Sequence, residues 1–508
     1  MSIETFIIIK RGKIMETKLN DQELARREKL NKLKELKVDP FGKAFKRTDT
    51  SLSCNLKIKN KSDKKLEKEP IRVAVAGRIM LLRKMGKASF INIQDREGRI
   101  QGYISIDTVG KKKYEVFKAC DVGDIVGLKG KMMRTRTGEP TIKVDSFTLL
   151  TKSLKILPEK YHGLVDIEER SRHRYVDLIM NEDAKKTAIA RNKIIRSIQH
   201  YLDSLGFIEV ETPVLSPILG GASARPFITH HNTLDKNFYL RIATELKLKE
   251  LIVGGLEKVY EIGRIFRNEG MDAKHNPEFT SIELYEAYSD LKGIGKLWEN
   301  LLRYVAKDVT GSLLVPYGDI VIDFKSPFKW VSMVDIVKEK TGFNFRENLD
   351  LNVLVKYFKD NNIKIEKHWN SQGYFLAALF DEYCEKELIQ PTFLYEHPIE
   401  TSPLTKKTKD PRYVERFELY INGTELANAY SELNDPIDQY ERFEAQLSAK
   451  ERGDEEANEM DLEFIDALNY GMAPTGGIGM GIDRLVMFLT NQDNLREVIL
   501  FPTMKDEK

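Results

Sequence analysis

Cysteine is scarce in this chain: Cys54, Cys120 and Cys384 are its three, far apart in 508 residues and without a C-x-x-C pair. That excludes a disulfide framework and a cysteine-built zinc site. Long apolar runs are missing as well. The longest near the start covers residues 6–9, against roughly 20 for a membrane-spanning helix. No Gly-Lys pair is followed by Ser or Thr, and H-E-x-x-H and G-x-S-x-G do not occur. Gly476-Gly477-Ile478-Gly479-Met480-Gly481 is glycine-dense but does not fit G-x-G-x-x-G. A nucleotide bound here therefore needs another architecture. The expectation is a soluble, cytoplasmic chain of a reducing compartment, with no membrane partner.

Charge is near balance, at +3 overall with 31% charged residues, but it is unevenly spread. Residues 1–70 carry 19 Lys/Arg against 11 Asp/Glu, and residues 71–150 carry 16 against 8. The first 150 residues thus hold +16, which leaves −13 for the rest. A basic front and an acidic body place a polyanion partner at one end and different work at the other.

The chain divides accordingly. Residues 1–14 read as an extension outside the fold, with Met15 as the expected start. In 15–70, Asn20 or Asp21 caps a helix reaching residue 36, with Leu24, Leu30, Leu33 and Leu36 as a narrow stripe. Residues 55–70 read as an exposed, lysine-rich connector. Within 71–152, β-forming runs at 71–82, 88–94, 100–104, 125–133 and 141–150 are split by turn signals, with a helix at 111–119. That order is expected of a small Greek-key barrel of the oligonucleotide-binding (OB) kind. Residues 153–180 read as a hinge. From 181 to 508 mixed strands and helices follow, opened by a long helix over 181–205 that Gly206 ends. No βαβ rhythm is present, and 345–390 reads as a helical insertion.

Four segments in the larger part carry chemistry. They are Gly206-Phe207-Ile208-Glu209-Val210-Glu211-Thr212-Pro213; Phe266-Arg267-Asn268-Glu269-Gly270, followed by His275-Asn276-Pro277-Glu278-Phe279-Thr280 and Glu283-Leu284-Tyr285; Gly423-Thr424-Glu425-Leu426-Ala427-Asn428-Ala429-Tyr430-Ser431-Glu432; and Gly477-Ile478-Gly479-Met480-Gly481-Ile482-Asp483-Arg484. In this order they resemble the signature motifs of class II (subclass b) aminoacyl-tRNA synthetases, and among these the bacterial type of lysyl-tRNA synthetase. The resemblance covers about residues 21–505, including Gly220-Gly221-Ala222-Ser223-Ala224-Arg225.

The chemistry of the residues agrees with it. A guanidinium clamps phosphate oxygens bidentately and stabilises the charge of five-coordinate phosphorus, which suits Arg267 and Arg484 as the catalytic pair. The resemblance implies an α+β fold: an OB barrel joined to a catalytic domain built on an antiparallel sheet flanked by helices. It implies that Phe279 stacks on adenine, that Glu269 accepts from the exocyclic amine, and that His275 and Asn276 complete the ATP site with Glu425. Glu425 and Glu432 are seven apart, hence on opposite faces of a regular strand unless a bulge intervenes. The resemblance makes both ligands of Mg²⁺, for which hard carboxylate oxygens are suited.

For the amino acid, the resemblance implies Gly221 and Glu245 at the α-ammonium and Glu283 and Glu432 at the far end of the side chain. Tyr285, Asn428 and Tyr430 then line the route. Two carboxylates there favour L-lysine and repel aspartate. In the barrel, Phe90 and Gln101, with Arg78 and Glu139, fall where related enzymes read anticodon bases. The implied activity is ATP-dependent ligation of lysine to tRNA(Lys) by a homodimer joined through 181–205 and a strand at 209–214. Alternatives are an aspartyl or asparaginyl relative, a lysyl transferase to a protein acceptor, and a silent RNA-binding protein.

Overall fold

The computed structural model describes residues 5–10, 13–158, 164–222, 224–453 and 459–506, without the side chains of residues 5–10 and 13–18. Two units are distinguished, residues 1–163 and 164–508. No described helix is long and apolar enough to cross a membrane.

In the first unit, Thr5–Lys10 pairs antiparallel with Lys13–Lys18. Met15 thus stands inside a hairpin strand; of the extension read over 1–14, residues 1–4, 11 and 12 lie outside the described residues. Helix α1 (Asp21–Glu35) follows, with Asn20 and Glu23 forming a capping box. Strands β1 (Arg72–Met85), β2 (Ala88–Gln94), β3 (Arg99–Ser105), β4 (Ile125–Arg134) and β5 (Pro140–Thr151) close a barrel in the order β1-β2-β3-β5-β4. The expected strands are all present, and a helix (Lys111–Lys118) lies between β3 and β4.

The connector expected at 55–70 is mostly exposed, as read, but it is largely helical and seats two of its residues in the core. Ser51–Ile58 and Asp63–Lys68 are helical. Their Cys54, Ile58 and Leu66 are buried in the same core as Val75, Ile91 and Leu128 of the barrel. Lysine density concealed the helices, because one apolar residue per turn is enough to seat a short helix while its lysines stay in water.

The second unit centres on an eight-stranded sheet. Its strands are β6 (Ile208–Glu209), β7 (Lys258–Phe266), β8 (Glu278–Ala287), β9 (Lys329–Ser332), β10 (Thr392–Pro398), β11 (Tyr413–Tyr420), β12 (Glu425–Ser431) and β13 (Thr475–Gly481). The order is β9-β10-β11-β12-β13-β8-β7-β6, antiparallel except at the two edges. One face packs on α2 (Glu182–Ser204) and α3 (Leu291–Thr310): Ile194, Ile198, Leu202, Trp298 and Leu301 are buried with Ile282, Phe417 and Ile478. At about 25 cal/mol per Å² of apolar surface, such a core is the main stabilising term of the unit.

Residues 167–180, read as part of a hinge, fold as two short helices of this unit, where Asp177 pairs with Arg170 and Arg174. The strand expected at 209–214 is limited to Ile208–Glu209, parallel to β7. The insertion at 345–390 contains helices Leu351–Asp360 and Gln372–Tyr383 around a second core with Phe345, Phe358, Phe375 and Phe380.

Candidate active site and base-reading face

The other face of the sheet is polar and floors a cavity of about 470 Å³. Alternation on each strand supplies its lining. On β11, Phe417 and Leu419 go to the core while Arg416 and Glu418 face the cavity. On β8, Ile282 and Leu284 go to the core while Ser281, Glu283 and Tyr285 face it.

At one end stand the residues expected around a nucleotide. Arg267 sits 5.4 Å from the Phe279 ring centroid and donates to the Ile242 carbonyl. Arg484, in the first turn of α4 (Ile482–Thr490), donates to the Glu425 carbonyl, and its Nη1 is 3.7 Å from Glu425 Oε2. The helix is fixed there by buried Asp483, which pairs with Arg191 and accepts from the Thr280 amide at 2.9 Å. His275 contacts Asp272 through Nδ1 and lies 3.4 Å from Arg484 through Nε2. Glu269 and Asn276 line the same end, with the Asn276 amide donating to the Glu278 carbonyl.

The other end is acidic. Glu283 accepts from the Thr244 amide at 3.0 Å and from the Tyr285 hydroxyl at 3.2 Å. Burial, with the charge of Glu245 adding to it, pushes the Glu283 carboxyl up to about 7 against the pull of those hydrogen bonds. Glu245, in the first turn of α5 (Glu245–Val253), is buried and 2.6 Å from Lys249 Nζ. Asn428 Oδ1 accepts from Arg416 Nε at 3.0 Å, and Arg416 stands 5.8 Å from the Tyr430 ring centroid. Gly221, at φ +88°, brings its backbone against Ala243 and Glu245, in a left-handed conformation that favours glycine.

The pairing of Glu425 with Glu432 on one magnesium ion needs correction. Glu425 and Glu432 do share a face, because a bulge at Leu426 shifts the pairing from Leu419↔Ala427 to Tyr420↔Glu425. They are nevertheless separated by seven residues of extended chain, roughly 23 Å at about 3.3 Å per residue. One small cation cannot span that. The carboxylate that shares the cavity with Glu425 from the adjacent strand is Glu418: burial raises the Glu425 carboxyl, and the charge of Glu418 raises it further. Glu432 instead is 1% exposed and ion-paired with Lys249. Its Oε1 has no hydrogen-bond partner among the described residues.

Within the glycine run, Gly479 and Gly481 line the cavity. Gly477 stands over Glu432 and Tyr285, where a Cβ would come within 2.1 Å of Glu432 Oε1 and 2.5 Å of the Tyr285 ring. At this position glycine makes room for protein side chains.

Arg416, Glu418 and Lys249 were missed from sequence. The signals were the alternation Arg416-Phe417-Glu418-Leu419-Tyr420, and a lysine four residues from Glu245 inside an otherwise apolar helix stripe.

In the first unit, Ser89, Ile91 and Ile93 of β2 point into the barrel, so Phe90 and Asn92 lie on its outer face. Opposite them on β3 are Tyr103 and Gln101. The Phe90 and Tyr103 rings are 5.2 Å apart and tilted, and Gln101 donates to Thr141 Oγ1 at 2.9 Å. Arg78 is engaged elsewhere: it donates to the Gly123 carbonyl at 2.7 Å, and burial lowers its pKa. Glu139 stays exposed in a turn, its amide donating to Thr135 Oγ1.

Known sequences match each unit separately. Residues 166–505 match the family of class II tRNA synthetases (D, K and N), and residues 73–150 match the OB-fold nucleic acid binding domain used for anticodons. The lysine–tRNA ligase of Bacillus subtilis (strain 168) is 53% identical over 488 residues, covering 96% of this chain and 98% of that protein. Those of Bacillus thuringiensis (strain Al Hakam) and Bacillus anthracis are 52% identical over 491 residues, with the same coverage. The chain belongs to the class II tRNA synthetases of the D, K and N group.

Proposed function

We propose that this chain ligates L-lysine to tRNA(Lys) through a lysyl-adenylate, using ATP and releasing AMP and pyrophosphate. The observation that carries this reading is the acidic end of the cavity, where Glu245 and Glu283 converge with Glu432 behind them. Buried carboxylates without a bound cation are costly, and a substrate with two ammonium groups relieves them. Aspartate would add a fourth carboxylate to the same place.

Arg267 and Arg484 lie at the other end, where they hold and orient the triphosphate. The lysine carboxylate is already ionised, so it attacks the α-phosphorus directly. A C–O–P bond forms, the α–β bridge breaks, and the pair leaves with pyrophosphate. Alignment and preorganised charge supply the catalysis, and no side chain has to remove a proton in this step. The terminal ribose hydroxyl of tRNA then attacks the acyl carbon and AMP departs.

Magnesium fits this end of the site by the chemistry of the donors. Glu418 and Glu425 offer hard carboxylate oxygens from two neighbouring strands to the same cavity. When bound, the ion would neutralise phosphate charge.

The first unit is assigned the anticodon, with Phe90 and Tyr103 as a stacking platform and Gln101 beside it. The +16 surplus of residues 1–150 supports this end as the one that meets RNA phosphate. Residues 71–152 are taken as the anticodon domain and 181–508 as the catalytic domain carrying the 345–390 insertion. A homodimer is supported by exposed apolar residues along 189–215, namely Ile189, Ile208, Val214 and Leu215. The cytoplasm is the proposed location, since that is where tRNA is charged.

Lysine-dependent exchange of pyrophosphate into ATP tests the activity. Exchange that answers to aspartate and not to lysine would overturn it.

A further inference from the structure

Lys249 is fully buried in the middle of α5, among Leu246, Leu248 and Ile252. An apolar residue would fill the same volume without the cost of desolvating an ammonium group. The lysine instead reaches three neighbours. Its Nζ is 2.6 Å from Glu245 Oε1, ion-paired with Glu432, and 5.9 Å from the Phe464 ring centroid. Glu245 lines the cavity, and Glu432 lies one layer behind it.

Charges around this end can be counted. Glu245, Glu283 and Glu432 are the carboxylates, and Lys249 is the cation held among them. Arg416 is the next cation, but it is committed to Glu418, to Ser402 Oγ and to Asn428. Burial raises all three carboxyls in the empty site, and once they ionise two of them are left without a protein cation. Free lysine carries two ammonium groups.

We propose that Lys249 is a positioning residue for the amino-acid substrate: its ammonium aims Glu245 and Glu432 and cancels one of three buried carboxylates, leaving a pocket matched to two substrate ammonium groups. This rests on the reading of lysine as substrate. Lys249 itself touches no substrate and acts through Glu245 and Glu432.

The test uses the full-length enzyme with Lys249→Met, which keeps the length and removes the charge, and Lys249→Gln, which keeps a donor. Pyrophosphate exchange is measured with varied lysine, varied ATP, and norleucine, which has the same chain without the ε-ammonium. Both variants should raise the KM for lysine by roughly tenfold or more, leaving kcat and the KM for ATP within about threefold. The preference for lysine over norleucine should fall by about the same tenfold.

A wild-type enzyme that shows no lysine-dependent exchange sinks the substrate reading itself. Normal wild-type exchange with an unchanged lysine KM in the variants sinks only the role of Lys249. A loss confined to kcat does so too. Thermal unfolding is recorded alongside, and failure of both variants to fold would assign Lys249 to structure alone and overturn the proposal.

Discussion

Glu418 and Glu425 line the same cavity from neighbouring strands because the bulge at Leu426, which puts Tyr420 opposite Glu425, turns Glu425 to the side of Asn428. Without that extra residue, Glu425 would turn to the opposite face from Asn428 and Tyr430. Glu418 is further set by Arg416, which pairs with it, and by the Tyr420 hydroxyl, which donates to it at 2.7 Å. Burial tends to raise the Glu418 carboxyl, but the Arg416 charge and these hydrogen bonds outweigh it and hold it below the ordinary glutamate value. One carboxylate of the pair is thus kept ionised, while burial raises the other.

Glu418→Gln should therefore weaken the response to magnesium without touching lysine. The Mg²⁺ concentration giving half-maximal exchange is expected to rise about tenfold or more, with the lysine KM within about threefold. Glu432→Gln should do the reverse. Titrating Mg²⁺ at saturating lysine, and lysine at saturating Mg²⁺, separates the two, and a magnesium effect confined to Glu432→Gln would restore the pairing of Glu425 with Glu432.

Arg267 is placed to stabilise charge that appears only as phosphorus becomes five-coordinate. Removing one such donor typically costs on the order of 10²–10³ in rate. Arg267→Ala should reduce exchange by that order while tRNA binding, followed by filter retention or anisotropy, stays near the wild-type level. Equal loss of both would show that Arg267 supports the fold.

The barrel was legible in the sequence because its strands alternate and its turns are marked by glycine, as at Gly98 and Gly138. The motif residues were legible one at a time, since guanidinium and carboxylate chemistry travels with the residue type. What was not legible was relation. Whether Glu425 is grouped with Glu418 or with Glu432 depends on one bulged residue and on which strand lies alongside. Lys249 reads as a helix-surface lysine until the sheet it packs against brings Glu432 to it. Lys-rich residues 55–70 concealed Ile58 and Leu66 in the same way, because burial depends on partners far away in the chain.

Phe90 lies on the outer barrel face, so truncating it removes no core contact. Stacking of one base on an aromatic ring is worth about 1–3 kcal/mol. Phe90→Ala should therefore lower charging of tRNA(Lys) by roughly five- to a hundredfold in kcat/KM, with exchange unchanged. Tyr103→Ala should act in the same direction, because the two rings are cross-strand neighbours. Loss of exchange in parallel with charging would remove the base-reading role from this face.

Glu283 ties substrate binding to pH. Its carboxyl is pushed from 4.5 up to about 7, with burial the largest cause. A folded-state pKa above the unfolded one means that the stabilising contribution is fully present below about pH 4.5 and is lost as pH rises through about 7. That shift corresponds to a penalty on the order of 3 kcal/mol on the empty enzyme above pH 7. Glu283→Gln should therefore be more thermostable than the wild type at pH 8 and lose that advantage at pH 5. Its lysine KM should rise by about a hundredfold, because the amide cannot meet an ammonium group as an ionised carboxylate does. In the wild type the same ionisation should lower the lysine KM as pH rises from 6 to 8, in exchange assays run at fixed ionic strength. A flat profile, together with a Gln variant less stable at pH 8, would show that Glu283 is held ionised in the free enzyme.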